Sequence, residues 1–163
     1  MQHAIPYMQL RGGSSKGLYF CASDLPTDPV LRDKVLIAAI GADKSQIDGL
    51  GGADPLTSKV AIVGLSDAPD ADIDYLFAQV VVGGDRVDTT PNCGNILAGV
   101  APFAIEAGLM EPTGDSTTVR INMLNSGSQC ELVVQTPNGK VEYQGDACID
   151  GVPGSAAPIA CNY

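Results

Sequence analysis

Cys93 stands in Asn92-Cys93-Gly94-Asn95, directly before an apolar stretch that reads as a helix. A thiol at a helix start meets free backbone N–H groups and the positive end of the helix dipole, which favour thiolate over thiol. Asn92 and Asn95 add donors, and Gly94 lets a ligand approach the backbone. A small cysteine buried for packing leaves the same local signature. Lys59 is the second candidate, the sole charge in Leu56-Thr57-Ser58-Lys59-Val60-Ala61-Ile62-Val63. An amine drawn into such surroundings loses hydration, which favours the neutral form able to take a proton. The competing reading is a lysine on a solvent face or guarding a sheet edge. The third candidate is Arg11-Gly12-Gly13-Ser14-Ser15-Lys16-Gly17. Its two cations, two hydroxyls and free backbone N–H groups suit carboxylates, although a plain hairpin loop needs the same glycines. The spacing is not that of a Walker A loop.

Composition removes other chemistries. The chain has 163 residues, with 9 Lys and Arg against 19 Asp and Glu, a formal charge of -10. Nucleic acid and anionic membrane need a dense basic surface, so neither is expected as a partner. A single histidine, His3, cannot build a multi-histidine metal site, and no metal is expected. Five scattered cysteines with no C-x-x-C spacing read as free thiols. Asp70, Asp72 and Asp74 read as solvated acids in a turn. Ile96 to Met110 is too short for a membrane span. The start of the chain lacks the basic and apolar regions of a signal peptide, so the expected compartment is the cytoplasm.

The elements that must position these residues follow from pattern. Ala4 to Leu10 and Leu18 to Cys21 read as two strands of a hairpin with a wide glycine-rich tip. Asp28-Pro29 starts a helix that runs to Ile40 and stops at Gly41, with Leu31, Val35, Ala38 and Ala39 on one face. Leu56 to Leu65 and Tyr75 to Val82 read as strands. Ile96 to Ala107 is apolar around most of its circumference, which predicts a buried helix bent at Pro102 and closed by Gly108. Thr117 to Leu124 and Gln129 to Gln135 read as strands. Asn138-Gly139 predicts a hairpin turn, with Val141 to Ile149 returning. Ala156 to Cys161 begins a further strand. The expected fold is α+β, a mostly antiparallel sheet curled around a central apolar helix. Alternating βαβ units are not evident, which argues against a Rossmann fold.

The segments IPYMQLRGGSSKG, QIDGLGGADPLTSKVAIV, DYLFAQV, NCGNILAGVAPFAIEAGL and GDACIDGVPG, in this order, resemble the N-terminal half of the PrpF family. That family belongs to the diaminopimelate epimerase-like superfamily, and the likeness is strongest to its 4-oxalomesaconate tautomerase branch. The resemblance implies two similar domains with the active site between them, of which this chain, 1–163, would be the first. The missing wall would come from a C-terminal domain or a second chain. It implies a cofactor-independent 1,3-allylic proton shift in a small unsaturated polycarboxylate. It assigns proton transfer to Lys59 and an active-site role to Cys93. Substrate contacts fall to Arg11, Gly12, Gly13, Ser14 and Ser15, with Ser58, Asn92, Gly94 and Asn95 beside them. Ser14 replaces a more usual threonine. Two other readings stand beside this one: a methylaconitate or methylitaconate isomerase, and a non-catalytic half-domain that binds carboxylates or a partner chain.

Overall fold

The computed structural model describes residues 3–163. Strands β1 (Met8–Gly12), β2 (Ser15–Cys21), β3 (Lys59–Leu65), β4 (Ile73–Val80), β5 (Val87–Asp88), β6 (Ser116–Met123), β7 (Ser128–Gln135) and β8 (Ala160–Asn162) form one sheet. The helices are α1 (Pro29–Ile40), α2 (Gly94–Leu97) and α3 (Val100–Glu106). The sheet order is β1-β2-β3-β4-β6-β7-β8, with β5 on the free part of β4. Two neighbour pairs are parallel, β2 with β3 and β4 with β6; the other five are antiparallel.

Each parallel pair needs a crossover, and each crossover carries helix. The first runs through α1 and the second through α2 and α3, so two βαβ connections exist where the sequence suggested none. The crossovers pack on opposite faces. Leu36 and Ile40 of α1 meet Phe20, Val60, Ile62 and Val80 on the outer face. Ile96, Leu97, Val100 and Phe103 of α2–α3 meet Tyr19, Ala61, Tyr75, Phe77, Ile121 and Leu132 on the inner face. A helical run covered by strands on several sides has no use for a polar face, which accounts for its composition. The expected α+β fold, with a sheet curled around an apolar helical centre, is the fold observed.

Details differ from the sequence reading. Asp28 caps α1 by accepting from Leu31 N–H, and Gly41 ends it, as expected. The buried stripe of α1 is Leu36 and Ile40, whereas Leu31 and Ala38 face solvent. The β1–β2 connection is a two-residue turn at Gly13 and Ser14, because the glycine-rich segment is itself mostly strand. Residues Pro55–Thr57 form a 3-10 turn, and β3 begins at Lys59. The central helix is broken at Ala98–Gly99. There Tyr19 Oη donates to the Ile96 carbonyl at 2.7 Å, and Pro102 has no N–H to offer the Ala98 carbonyl. Gly108 N–H to Ile105 O and Leu109 N–H to Ala104 O close α3 in a Schellman motif.

Asn138 and Gly139 take the positive φ that a tight hairpin turn requires, 55° and 71°. The return strand does not form. Only Glu142 N–H reaches Gln135 O, because β8 occupies the edge of β7 at Glu131 to Val133. Asp72 and Asp74 are not merely solvated. Asp72 binds the Arg120 guanidinium, and Asp74 accepts from Ser66 Oγ and Asn122 Nδ2.

Candidate active site

Lys59 opens β3 between β2 and β4, so it is not on a sheet edge. Alternation places it on the same face as Ala61 and Val63, the inner face. It is half-buried. Its cross-strand partner is Gln79, and Lys59 Nζ donates to Gln79 Oε1 at 2.8 Å. The ammonium lies 5.1 Å from the centroid of the buried Phe77 ring, on the same face.

Gln79 is itself tied down. Its Nε2 donates to the carbonyls of Ser58 (2.9 Å), Pro55 (3.1 Å) and Val80 (3.3 Å). An amide whose nitrogen faces carbonyls must turn its oxygen the other way, toward the amine. Nothing in the sequence alone marked Gln79 as part of a site. The available signal was an amide within the run Tyr75 to Val80, which carries no charge, much as Lys59 is the lone charge of β3.

The start of the central helical run lies at the same end of the sheet. A Cβ on Gly12 would be driven into the Asn95 carbonyl, and one on Gly17 would sit 2.9 Å from Ile96 Cδ1. Gly17 is the β2 neighbour of Lys59. Gly12 therefore lets the hairpin tip meet the helix start backbone to backbone, and Gly17 leaves room for the Ile96 side chain. Asn95 Nδ2 donates to Ser14 Oγ (3.0 Å) and Ser15 Oγ (3.1 Å), fastening this contact. Cys93 is the N-cap residue of α2 and packs against the inner core; its side chain makes no capping bond. Its carbonyl accepts from Leu97 N–H and from Tyr75 Oη. Burial first, and then the nearby Cys93 sulfur, push the Tyr19 and Tyr75 phenols well above their usual values, so both remain donors. Burial likewise pushes up the thiols of Cys21, Cys130 and Cys161.

The expected contact residues separate into groups. Gly12, Gly13, Ser14, Ser15, Gly94 and Asn95 meet at the hairpin–helix junction. Asn92 is exposed beside it. Arg11 pairs with Lys16 across the hairpin on the face opposite Leu10 and Gly17, and its guanidinium donates to Gly13 O at 2.9 Å. Ser58 is fully buried, and its hydroxyl contacts Gln46 Oε1 and the Asp54 carbonyl. A cleft of about 510 Å³ adjoins the junction, walled by Leu10, Arg11, Asn95 and Pro102 on one side and by residues of the 142–159 segment on the other. Among the described residues no cluster of His, Cys, Asp and Glu has metal-binding geometry, and no helix is long and apolar enough to cross a membrane.

Comparison with known proteins identifies relatives of this fold. A 4-oxalomesaconate tautomerase of Pseudomonas putida is 57% identical over 163 residues, covering 99% of this chain and 45% of the relative. The crystal structure of a methylitaconate-delta-isomerase superposes with a TM-score of 0.93 at 49% identity, covering 96% of this chain and 41% of that one. A hydroxyproline epimerase from Agrobacterium vitis shares the fold at 15% identity, with a TM-score of 0.54 over 84% of this chain and 38% of the other. The chain thus spans a little under half the length of these proteins. The family model for PrpF protein matches residues 2–163, and the chain belongs to the PrpF family.

Proposed function

We propose that this domain supplies one wall and the proton-carrying amine of a cofactor-independent isomerase. The reaction is a 1,3-allylic shift in a small unsaturated tricarboxylate of the 4-oxalomesaconate type. The observation that carries the reading is the setting of Lys59. Its amine sits half-buried on the inner face, bound to a neutral amide rather than a carboxylate, at the end of the sheet where the central helix begins. A neutral amide holds the amine in place without setting a second charge against it.

Lys59 takes a proton from a carbon flanked by a carbonyl and an alkene. The electron pair delocalises as a dienolate, and the same proton returns two carbons away, so no atom is gained or lost. The enolate and the carboxylates need donors fixed in advance. Gly12, Gly13, Ser14 and Ser15 at the hairpin tip supply them from one side. Asn92, Cys93, Gly94 and Asn95 supply them from the other, with Cys93 as acid or anion anchor. Arg11 adds charge at the tip, and Ser58 acts through the turn that leads into β3. The facing wall comes from a further domain or a second chain. The relative solved as a methylitaconate-delta-isomerase supports a second reading, the same shift in a methylated dicarboxylate.

The test is Lys59→Ala in the complete two-walled protein, with 4-oxalomesaconate and methylitaconate followed in the ultraviolet. Loss of at least ~10³-fold in kcat is expected. Unchanged turnover would remove Lys59 from the reaction.

A further inference from the structure

We propose that Gln79 is a positioning residue for Lys59, an uncharged strut that fixes the amine above the Phe77 ring. The inference rests on the reading of Lys59 as the proton carrier. Four distances support it: Lys59 Nζ to Gln79 Oε1 at 2.8 Å, and Gln79 Nε2 to the carbonyls of Ser58, Pro55 and Val80 at 2.9, 3.1 and 3.3 Å. The strut connects the turn before β3 to the reactive atom. A lysine side chain has four rotatable bonds and ordinarily samples many rotamers. Here one end is the first residue of an interior strand and the other is anchored to the strand opposite.

The choice of glutamine carries chemical weight. Glutamate at 79 would place a carboxylate against the amine and keep the proton on it. It would also turn oxygens toward the three carbonyls. Glutamine satisfies both sides with one group. The charged and titratable groups on the surrounding elements include Asp54, Asp88, Lys16 and Cys93, of which Asp88 shares the face of Gln79 through their cross-strand pairing. Asp54 accepts from Leu56 N–H, and Asp88 of β5, opposite Gln79, accepts from Thr90. Lys16 of β2 lies on the opposite face from Gly17, and Cys93 stands at the start of α2.

The experiment compares Lys59→Ala, Gln79→Glu and Gln79→Asn in the complete protein across pH 5 to 10. Gln79→Glu is expected to move the acid limb of kcat/KM upward by about one pH unit or more, with activity recovering at high pH. Gln79→Asn keeps the amide but is one methylene short. Its kcat should fall about tenfold or more with little change in KM. A Gln79→Glu profile that superimposes on the parent, with Lys59→Ala inactive, overturns the strut and leaves the base intact. An active Lys59→Ala overturns the base itself. Side-chain relaxation of Lys59 in the unaltered protein needs no variant to fold. Its Nζ should be markedly more ordered than that of the exposed Lys34, and equal mobility overturns the proposal.

Discussion

Ser58 precedes Lys59 in the chain, yet its hydroxyl points into the scaffold. It is fully buried, 3.0 Å from Gln46 Oε1 and 2.8 Å from the Asp54 carbonyl. Gln46 Oε1 also accepts from Ala53 N–H at 2.7 Å, so the residues 46 to 58 are folded around one amide oxygen. The Ser58 carbonyl in turn receives Gln79, which holds Lys59. Removing a buried hydroxyl deprives its partners of a hydrogen bond they cannot replace from water. Ser58→Ala should therefore lower the unfolding free energy by about 1–2 kcal/mol in urea titrations. A hydroxyl whose business was with substrate alone would leave the midpoint unmoved.

The break in the central helix belongs to the next scale up. Tyr19 is wholly buried on β2, and its hydroxyl takes the Ile96 carbonyl at the point where α2 ends. Gly99 N–H uses the same carbonyl at 3.1 Å. The break thus has a donor from the sheet, and Tyr19→Phe should cost about 1 kcal/mol in thermal or chemical unfolding. Stability equal to the parent would mean that Gly99 alone satisfies the carbonyl. The break was invisible to periodicity, because Ile96 to Ala107 is apolar throughout and the deciding hydroxyl lies 77 positions away in sequence. Local chemistry was readable where it is local: Asp28, Pro29 and Gly41 bound α1 as their side chains and backbone dictate. Which stripe of α1 is buried is set by the sheet beneath, and Leu36 and Ile40 won over Leu31. Asn138-Gly139 formed its turn for local reasons, but a strand needs a free edge, and β8 had taken it. Lys59 and Cys93 stood out as a lone charge and a helix-start thiol. Gln79 did not, because its partner depends on the β3–β4 register, which no single strand encodes.

Across the whole molecule the sheet has a narrow seam. β4 and β6 pair in parallel over three positions only, Ile73–Tyr75 against Ile121–Met123. Side chains extend the seam at both ends. At one end Arg120 donates to Asp72 through Nη2 at 2.7 Å and Nε at 3.1 Å, while Arg120 N–H reaches Asp72 Oδ2 at 2.8 Å. At the other, the Asn125 amide takes the place of a strand, accepting from Phe77 N–H (2.8 Å) and donating to the carbonyls of Phe77 (2.9 Å) and Thr89 (2.7 Å). Phe77 is the ring beneath Lys59, so this clamp also holds the floor of the candidate site. Asn125→Ala should cost about 1–3 kcal/mol, since it strands the N–H and carbonyl of a strand residue, and should speed amide exchange in β6 to β8 more than in β1 to β3. The Arg120 guanidinium, hydrogen-bonded to Asp72, holds its carboxyl below the usual value of about 3.9. A carboxyl depressed in the folded state stabilises it at pH values above the unfolded pKa. That contribution fades as pH falls from there through the lower folded value. The protein should accordingly lose part of its stability below about pH 4 through the seam, and Asp72→Asn should flatten that part of the acid-side decline in unfolding midpoints measured from pH 5 to 2. An unaltered acid profile in Asp72→Asn would show that the ion pair decorates the seam without holding it.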